Sequence, residues 1–229
     1  LFRSSAASDV YKRQFWQSLM LNYKRIISEL LDQNIYILSN ENKEAIIIDP
    51  GLGFDLINEY LQSNNLSPIA VLATHAHIDH IASASDCIKT YNIPFYICRG
   101  NSMMLDYYDV MKGYMNVVSE KPEVSHWIEE SDKKLTIGSF EFNVNYNPGH
   151  SPGCMSFEID SLIFCGDLIF KGSIGRTDLQ TSNPAHMEKS LEMFVNSFDV
   201  NSTLLPGHRE ITTLEYELKT NPFLVKYAK

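Results

Sequence analysis

The chain has 229 residues, of which 19 are Lys or Arg and 28 are Asp or Glu, so its formal net charge is −9. A chain this acidic argues against nucleic acid as the main partner, because phosphate binding requires clustered basic side chains. No apolar run approaches the roughly 20 residues of a membrane-spanning helix, so we expect no membrane association either.

The four cysteines show no paired CxxC spacing, and the N-terminal segment lacks the continuous apolar stretch of a signal peptide. We therefore expect reduced thiols and a cytoplasmic location. Each cysteine is expected to be a buried structural residue rather than a reactive one. The cysteines are Cys87, Cys98, Cys154 and Cys165.

Residues 1–19 differ from the rest of the chain. Residues 4–14 resemble translated sequencing-adaptor read-through, and Met20 is a plausible start. We interpret 1–19 as a non-native, disordered extension, with a genuine but disordered extension as the alternative. Because this segment holds three basic residues and one acidic residue, leaving it out brings the net charge to −11. No low-complexity linker divides residues 20–229, which suit a single domain.

Strands and helices are predicted to alternate in the first half of this domain. Short apolar runs at 35–38 and 45–48 predict a pair of strands. Helical spacing of apolar residues follows over 56–61, and 70–73 predicts another buried strand. A second helix is predicted over 81–91 from spacings of three and four residues.

The second half begins with a predicted strand at 94–98 and a stretch rich in Met and Tyr at 101–132. We predict its Met- and Tyr-rich part, 103–115, to be helical, and this part has two interpretations. It either covers the core or forms an adaptable pocket wall, since Met-rich surfaces accommodate varied ligands. The later predicted elements are strands at 140–146, 161–165 and 203–205 and a helix that begins with Asn183 as its cap and Pro184 at its first position.

Five of the seven histidines lie in three short motifs, and each motif follows a predicted strand. The first motif, 74–80, holds four residues of ligand type. The other two are Pro-Gly-His units, and a Cys-Gly-Asp unit ends the buried run 161–165. A packed core does not need this concentration of ligands at strand ends. The seven candidate metal ligands are His75, His77, Asp79, His80, His150, Asp167 and His208.

The ligand set suffices for two metal ions that share one carboxylate. His75 and His77 are two apart on an extended segment and project to one side, whereas Asp79 and His80 follow a turn. The predicted groups are His75, His77 and His150 at one ion, Asp79, His80 and His208 at the other, and Asp167 as the bridge. Imidazole with carboxylate suits zinc, which we expect, or iron or manganese.

Such paired sites hold ions about 3.5–4 Å apart and lower the pKa of bound water to about 7. The hydroxide formed in this way is the expected nucleophile, and Asp79 is the ligand that we also expect to act in catalysis. Asp49 ends a buried strand before a turn, where it either orients a ligand loop or caps the turn. His126 and His186 are predicted to be structural residues outside the site.

These residues resemble the metallo-β-lactamase fold superfamily over nearly all of 33–223. The HxHxDH signature matches 75–80, and the downstream His, bridging Asp and last His match His150, Asp167 and His208. The run 167–178, which contains GRTD, is similar to the single-domain, glyoxalase-II-like (hydroxyacylglutathione hydrolase-like) branch, as is the ending at 220–223. The resemblance implies an α/β fold, a four-layer αββα sandwich with its metals at one edge.

Members of that branch hydrolyse thioesters, typified by S-lactoylglutathione, so the resemblance implies a small-molecule thioester as the substrate. Only 21 residues follow His208, too few for the helical domain with which two-domain members hold glutathione. Arg209 stands where the branch often has Gly and is expected to crowd the mouth of the site. Arg176 either binds a substrate carboxylate or pairs with Asp178 or a loop carbonyl.

Two other functions remain open. An iron-dependent persulfide dioxygenase shares the GRTD run and this length, but it uses a single iron held by two His and one Asp. A non-enzymatic metal-binding or partner-binding member is the second alternative, and retention of every ligand speaks against it. The oligomeric state is not predicted from these patterns.

Overall fold

The structure of the protein is a computed structural model that describes residues 20–228, so the predicted extension at 1–19 lies outside it. The first sheet contains, in spatial order, β1 (Asn22–Ile27), β2 (Asn34–Ser39), β3 (Glu44–Ile48), β4 (Ser67–Ala73), β5 (Phe95–Cys98) and β6 (His126–Ile128). The second sheet contains β7 (Lys134–Ile137), β8 (Phe140–Tyr146), β9 (Met155–Ile159) and β10 (Leu162–Gly166). It is completed, beyond a small hairpin of β11 (Ile169–Phe170) and β12 (Ser173–Ile174), by β13 (Thr203–Pro206) and β14 (Thr212–Thr213).

Helices cover the outer face of each sheet. The first sheet carries α1 (Phe54–Ser63), α2 (Ile78–Ile81), α3 (Ala84–Tyr91), α4 (Ser102–Asp106) and α5 (Tyr108–Tyr114), and the second carries α6 (Pro184–Ser197) and α7 (Leu214–Thr220). The predicted cap of α6 is confirmed, since the Asn183 side chain accepts a hydrogen bond from the His186 backbone N–H and Pro184 opens the helix.

The two sheets pack face to face, and strand periodicity explains how. Along β2, Tyr36 and Leu38 enter the layer between the sheets, while Ile35 and Ile37 pack against the helices. Because both faces of β2 are buried, its apolar run is continuous. Three apolar layers therefore separate four structural layers, and the predicted αββα sandwich is confirmed.

The helical prediction for the Met- and Tyr-rich residues 103–115 is confirmed, although the helix is divided. It forms two short helices, α4 and α5, that break at Tyr107, and β6 follows later in the segment. Met104, Leu105 and Tyr108 are buried against the first sheet, so one face of the stretch does cover the core.

Three strand ends meet at one edge of the sandwich. Strands β10 and β13 are parallel, with Gly166 opposite Pro206, so the residues that follow them emerge side by side. At the end of β4, the Thr74 carbonyl accepts a hydrogen bond of 2.9 Å from the Met155 backbone N–H, which ties the first sheet to the second. This edge is where the candidate ligands lie.

Among residues 20–228, none of the helices has the length and apolar character needed to cross a membrane.

Candidate metal centre

The first motif turns from strand to helix in the middle of its ligands. His75 and His77 follow β4 in an extended segment, and His77 (φ −69°, ψ 147°) is the last extended residue before α2. Asp79 and His80 lie inside α2, whose side chains project in another direction. The change from strand to helix thus divides the motif into two pairs of ligands.

Three imidazole nitrogens form the first group. His77 Nδ1 lies 2.8 Å from His75 Nε2 and 2.9 Å from His150 Nε2. Because a neutral imidazole has only one N–H, three nitrogens that face one another at such distances form a better cage for a cation than a hydrogen-bond network. This group draws on both sheets, because His75 and His77 follow β4 in the first sheet and His150 follows β8 in the second.

The second group combines a carboxylate with two imidazoles. Asp79 Oδ2 lies 3.1 Å from His208 Nε2 and 3.8 Å from His80 Nε2. His208 follows β13, so this group also draws on both sheets.

Asp167 lies between the two groups. Its Oδ1 is 3.2 Å from His80 Nε2, and its Oδ2 is 3.3 Å from His150 Nε2 and 3.6 Å from His208 Nε2. One carboxylate therefore touches both ligand groups, which is the arrangement that a bridge requires. The structure brings all seven candidate ligands together.

Two buried atoms in the cluster favour a bound cation. Among residues 20–228, His80 Nε2 and Asp167 Oδ1 have no hydrogen-bond partner, although they lie 3.2 Å apart. A buried polar atom without a partner costs roughly 1–3 kcal/mol, and a metal ion would satisfy both atoms at once. The nitrogen and oxygen donors suit zinc, iron or manganese, so the residues fit a pair of such ions.

The pKa values of the first group favour neutral imidazoles. Burial, followed by the neighbouring His150, lowers the pKa of His77 to about 4. Burial and the nearby His80 and His77 also hold the pKa of His75 well below its usual value. Neutral imidazole is the form that binds a metal, so burial prepares these two side chains as ligands.

In the second group and at Asp167, neighbouring side chains of opposite charge favour the charged forms. Burial lowers the pKa of His80, but Asp167, Asp49 and Asp79 outweigh burial and raise that pKa well above its usual value. Burial raises the pKa of Asp167, yet His80 and His150 bring it well below the usual range. Asp79 and Asp167 therefore stay ionised and offer negative charge to a cation.

Four of the five imidazoles use their other ring nitrogen to fix their orientation. His150 Nδ1 donates to the Arg176 carbonyl at 2.9 Å, and His208 Nδ1 donates to the Leu31 carbonyl at 3.2 Å. His75 Nδ1 lies 3.1 Å from the Thr74 hydroxyl. The fourth, His80, faces a carboxylate. Partners of this kind set the tautomer and direct the free nitrogen at the metal position.

Asp49 orients the ligand loop, which decides between its two interpretations. Its Oδ1 accepts a hydrogen bond of 2.7 Å from the Thr74 backbone N–H, and its Oδ2 accepts one of 2.7 Å from the Thr74 hydroxyl. The same Oδ2 lies 3.0 Å from His80 Nδ1. Asp49 thus supports both halves of the first motif.

Two asparagines that the sequence patterns did not predict hold the ligand loops. Asn101 accepts from the Ala76 backbone N–H at 3.0 Å and donates to the Gly153 carbonyl at 2.8 Å. Asn34 donates to the Pro206 carbonyl at 2.8 Å and thereby fixes the loop that carries His208. The only signal for Asn34 in the sequence is a polar residue at the start of an apolar strand.

Glycine at position 207 is required by close approach. A Cβ there would overlap the carboxylate of Asp167 and the ring of His80. The Gly of the third motif therefore lets the loop pass directly over the cluster. Arg209, by contrast, has φ 66°, in the left-handed region that favours glycine, and one of its guanidinium nitrogens lies 3.3 Å from the Lys171 carbonyl.

The other residues discussed from the sequence lie outside the ligand cluster. The guanidinium of Arg176 forms two hydrogen bonds with the exposed Asp178, at 2.7 and 2.9 Å, while the arginine also lines the cavity beside the cluster. His126 stacks on Tyr96 outside the site, and His186 is exposed on α6. All four cysteines are buried and free, as predicted.

The cluster opens onto a cavity of about 990 Å³, at the upper end of the range for small-molecule sites. Five of the ligands line the cavity: His77, Asp79, His150, Asp167 and His208. Helices α4 and α5 form one wall, and the β11–β12 hairpin with the loop after it forms the other. The arrangement offers a reacting group access to both ligand groups from the same side.

Comparisons with known proteins agree with this geometry. The chain is 30% identical over 207 residues to the probable metallo-hydrolase YqgX of Bacillus subtilis, with 89% of this chain and 98% of that protein covered. It is 25% identical over 212 residues to the hydroxyacylglutathione hydrolase GloC of Haemophilus influenzae, with 89% and 98% covered.

Two solved structures share the fold at similar identity. The BLEG-1 B3 metallo-β-lactamase superposes with a TM-score of 0.82 at 33% identity, covering 89% of this chain and 99% of that one. TTHA1623, solved in a di-iron-bound form, has a TM-score of 0.80 at 30% identity, covering 88% and 100%. The sequence profile of the metallo-beta-lactamase superfamily matches residues 29–208, which span the complete ligand cluster. The chain belongs to the metallo-β-lactamase superfamily and is a metallo-hydrolase of that family.

Proposed function

We propose that this protein hydrolyses thioesters at a centre of two divalent metal ions, with zinc as the expected metal. The observation that carries the proposal is the pair of ligand groups that share Asp167 beside an open cavity. Similarity to a hydroxyacylglutathione hydrolase supports a thioester as the substrate class. The di-iron form of TTHA1623 makes iron the main alternative metal.

The division of ligands assigns a task to each group. His75, His77 and His150 would hold one ion, and Asp79, His80 and His208 the other, with Asp167 between them. When bound, the two ions supply an activated water as nucleophile and positive charge for the oxyanion of the substrate.

The chain's own residues orient the reactants. Asp79 lines the cavity and has a lowered pKa because His80 and the hydrogen bond to His208 outweigh its burial, so it stays ionised and accepts a hydrogen bond from the attacking water. No separate proton donor is needed for the leaving group, because a thiol with a pKa of about 8.5 leaves readily as thiolate. This suits a site whose imidazoles and carboxylates are engaged as ligands.

Persulfide oxygenation is the competing reaction, and it would leave several ligands without a role. A single iron held by two His and one Asp does not use Asp79, His80 and His208 together, yet the structure groups all three. A member that only stores metal would not need a cavity that gives a small molecule access to the ligands.

The deciding experiment measures metal content and turnover on the same purified protein. We expect two bound ions and hydrolysis of a panel of thioesters, which is measured as the release of free thiol. Oxygen consumption with a persulfide substrate, recorded in parallel, should stay at background. One iron with oxygen uptake and no thiol release would replace the proposal with a dioxygenase, and full metal content without either reaction would favour a binding protein.

A further inference from the structure

An apolar surface on α4 and α5 remains uncovered beside the metal centre. The inward face of these helices is buried, whereas Tyr107 is 58% exposed, Val110 54% and Met103 46%. Helices usually direct such side chains to a core or a ligand rather than to water. We therefore expect a ligand to cover these side chains.

These side chains line the same cavity as the metal ligands. Met103, Tyr107 and Val110 lie on one wall together with Met111 and Tyr114. The hairpin wall contributes Phe170, Ile174 and Leu179 together with polar residues. An extended apolar group entering from solvent would contact both walls with its reactive end beside the metal ligands.

Few charged side chains line the cavity outside the metal centre. Apart from the ligands, the charged side chains among the described residues that line it are Arg176 and Arg209. Arg176 is paired with Asp178, and Arg209 is directed at the Lys171 carbonyl. The α4–α5 wall itself therefore presents thioether, aromatic and aliphatic groups, which bind apolar matter in preference to a polar chain.

We propose that the α4–α5 wall binds an apolar substituent of the substrate, an alkyl chain of medium length or an aromatic ring, and so determines specificity. The inference rests on the proposed function, because it assumes that the thioester carbonyl lies at the metal centre. The cavity is continuous with the ligand cluster, which makes the substrate rather than another macromolecule its occupant. Unbranched, flexible Met side chains fit a range of such substituents.

The size of the effect follows from apolar burial. A buried methylene group contributes about 0.8 kcal/mol, which corresponds to roughly a fourfold change in affinity for each carbon that enters the wall. The logarithm of kcat/KM should therefore rise with chain length until the substituent outgrows the cavity.

The test uses two series of thioesters with the metal-loaded enzyme. In one series the acyl group grows from acetyl to octanoyl on a fixed small thiol; in the other, an alkyl thiol grows on a fixed acetyl group. We expect a clear rise of kcat/KM in at least one series, and the series that rises identifies the side of the thioester that the wall holds. A flat response in both series, with hydrolysis intact, overturns the inference and leaves the proposed function standing.

A matched pair of variants locates the effect. Met103→Gln alters the wall, while Met193→Gln alters a methionine of similar exposure, 51%, on α6 outside the cavity. The slope against chain length should be shallower in Met103→Gln, and more so when it is combined with Val110→Asn, than in Met193→Gln. Equal slopes in the two single variants and the double variant contradict the proposal.

Binding of a substrate analogue that cannot be hydrolysed separates this inference from the proposed reaction. S-octyl and S-methyl thioethers of N-acetylcysteamine are titrated by calorimetry into the protein. Tighter binding of the S-octyl compound, with a negative heat-capacity change, supports an apolar site even if no thioester is cleaved. Equal or undetectable binding of the two compounds, together with a flat response in the thiol series, would overturn it.

Discussion

Asp49 Oδ2 lies 3.0 Å from His80 Nδ1, and this contact links the end of β3 to a metal ligand on α2. The same carboxylate holds the backbone N–H and hydroxyl of Thr74, directly before the first histidine of the cluster. The burial of Asp49 and His80 prevents water from replacing these bonds. Asp49 thus positions ligands of both groups without being a ligand itself.

Replacing Asp49 with Asn should weaken metal binding while preserving size. An amide cannot accept from Thr74 and His80 with both of its terminal atoms, so one partner loses its bond. Loss of such a partner typically costs roughly 10- to 100-fold in metal affinity, and competition with a chelator measures it. Asp160→Asn, at an exposed turn, is the control and should bind metal normally. Unaltered affinity in Asp49→Asn would show that Asp49 only closes its turn.

Metal stoichiometry should distinguish the first ligand group from the bridge. His77→Ala removes a nitrogen from one group only, so we expect it to retain one ion and lose nearly all hydrolysis. Asp167→Ala removes the carboxylate that contacts both groups, so both ions should be bound less tightly. Elemental analysis after gel filtration gives the ratio of metal to protein. His186→Ala, at an exposed position of α6, is the control. Two retained ions and full activity in His77→Ala would refute the site.

The parts of this structure that follow local patterns were predictable. The period of two in β8 and the helical spacing before and after β4 reflect burial on defined faces, and such burial leaves a direct pattern in the sequence. Clustering of ligand residues after strands likewise pointed to one edge. The edge strand β1 was missed because Asn22–Ile27 faces solvent along much of its length and carries little apolar pattern.

Long-range relationships were not predictable. Asn34 binds the Pro206 carbonyl across 172 positions, and such a bond depends on how two sheets pack rather than on any local signal. The break at Tyr107 also depends on tertiary packing, which places Tyr108 in the core and leaves Tyr107 in the cavity. The neighbours of each imidazole also fix which ring nitrogen faces the cluster. The Arg176 carbonyl, for example, accepts from His150 Nδ1 and leaves Nε2 facing the cluster.

The role of the Arg176 side chain can be separated from that of its ion pair. Arg176→Ala should raise KM severalfold for anionic thioesters and much less for neutral ones if the guanidinium binds a substrate carboxylate, because a charge-assisted bond is lost. Asp178→Ala leaves that guanidinium free, so KM for anionic substrates should not rise. The His150 bond to the Arg176 backbone survives both changes, so metal content should not alter. Equal losses in both variants, on both classes of substrate, would identify a purely structural pair.

Glu217 should be a major stabiliser of the wall that faces α4 and α5. It is fully buried and accepts hydrogen bonds from the Gly172 backbone N–H at 2.8 Å and from the side chains of Thr212 and Asn221. Glu217→Ala leaves the buried Thr212 hydroxyl without its acceptor, at a cost of about 1–3 kcal/mol, and denaturant unfolding should show a correspondingly lower free energy. Glu215→Ala, which breaks an exposed pair with Lys219, should cost less than about 1 kcal/mol. Similar losses in the two variants would mean that α7 does not anchor the β11–β12 hairpin.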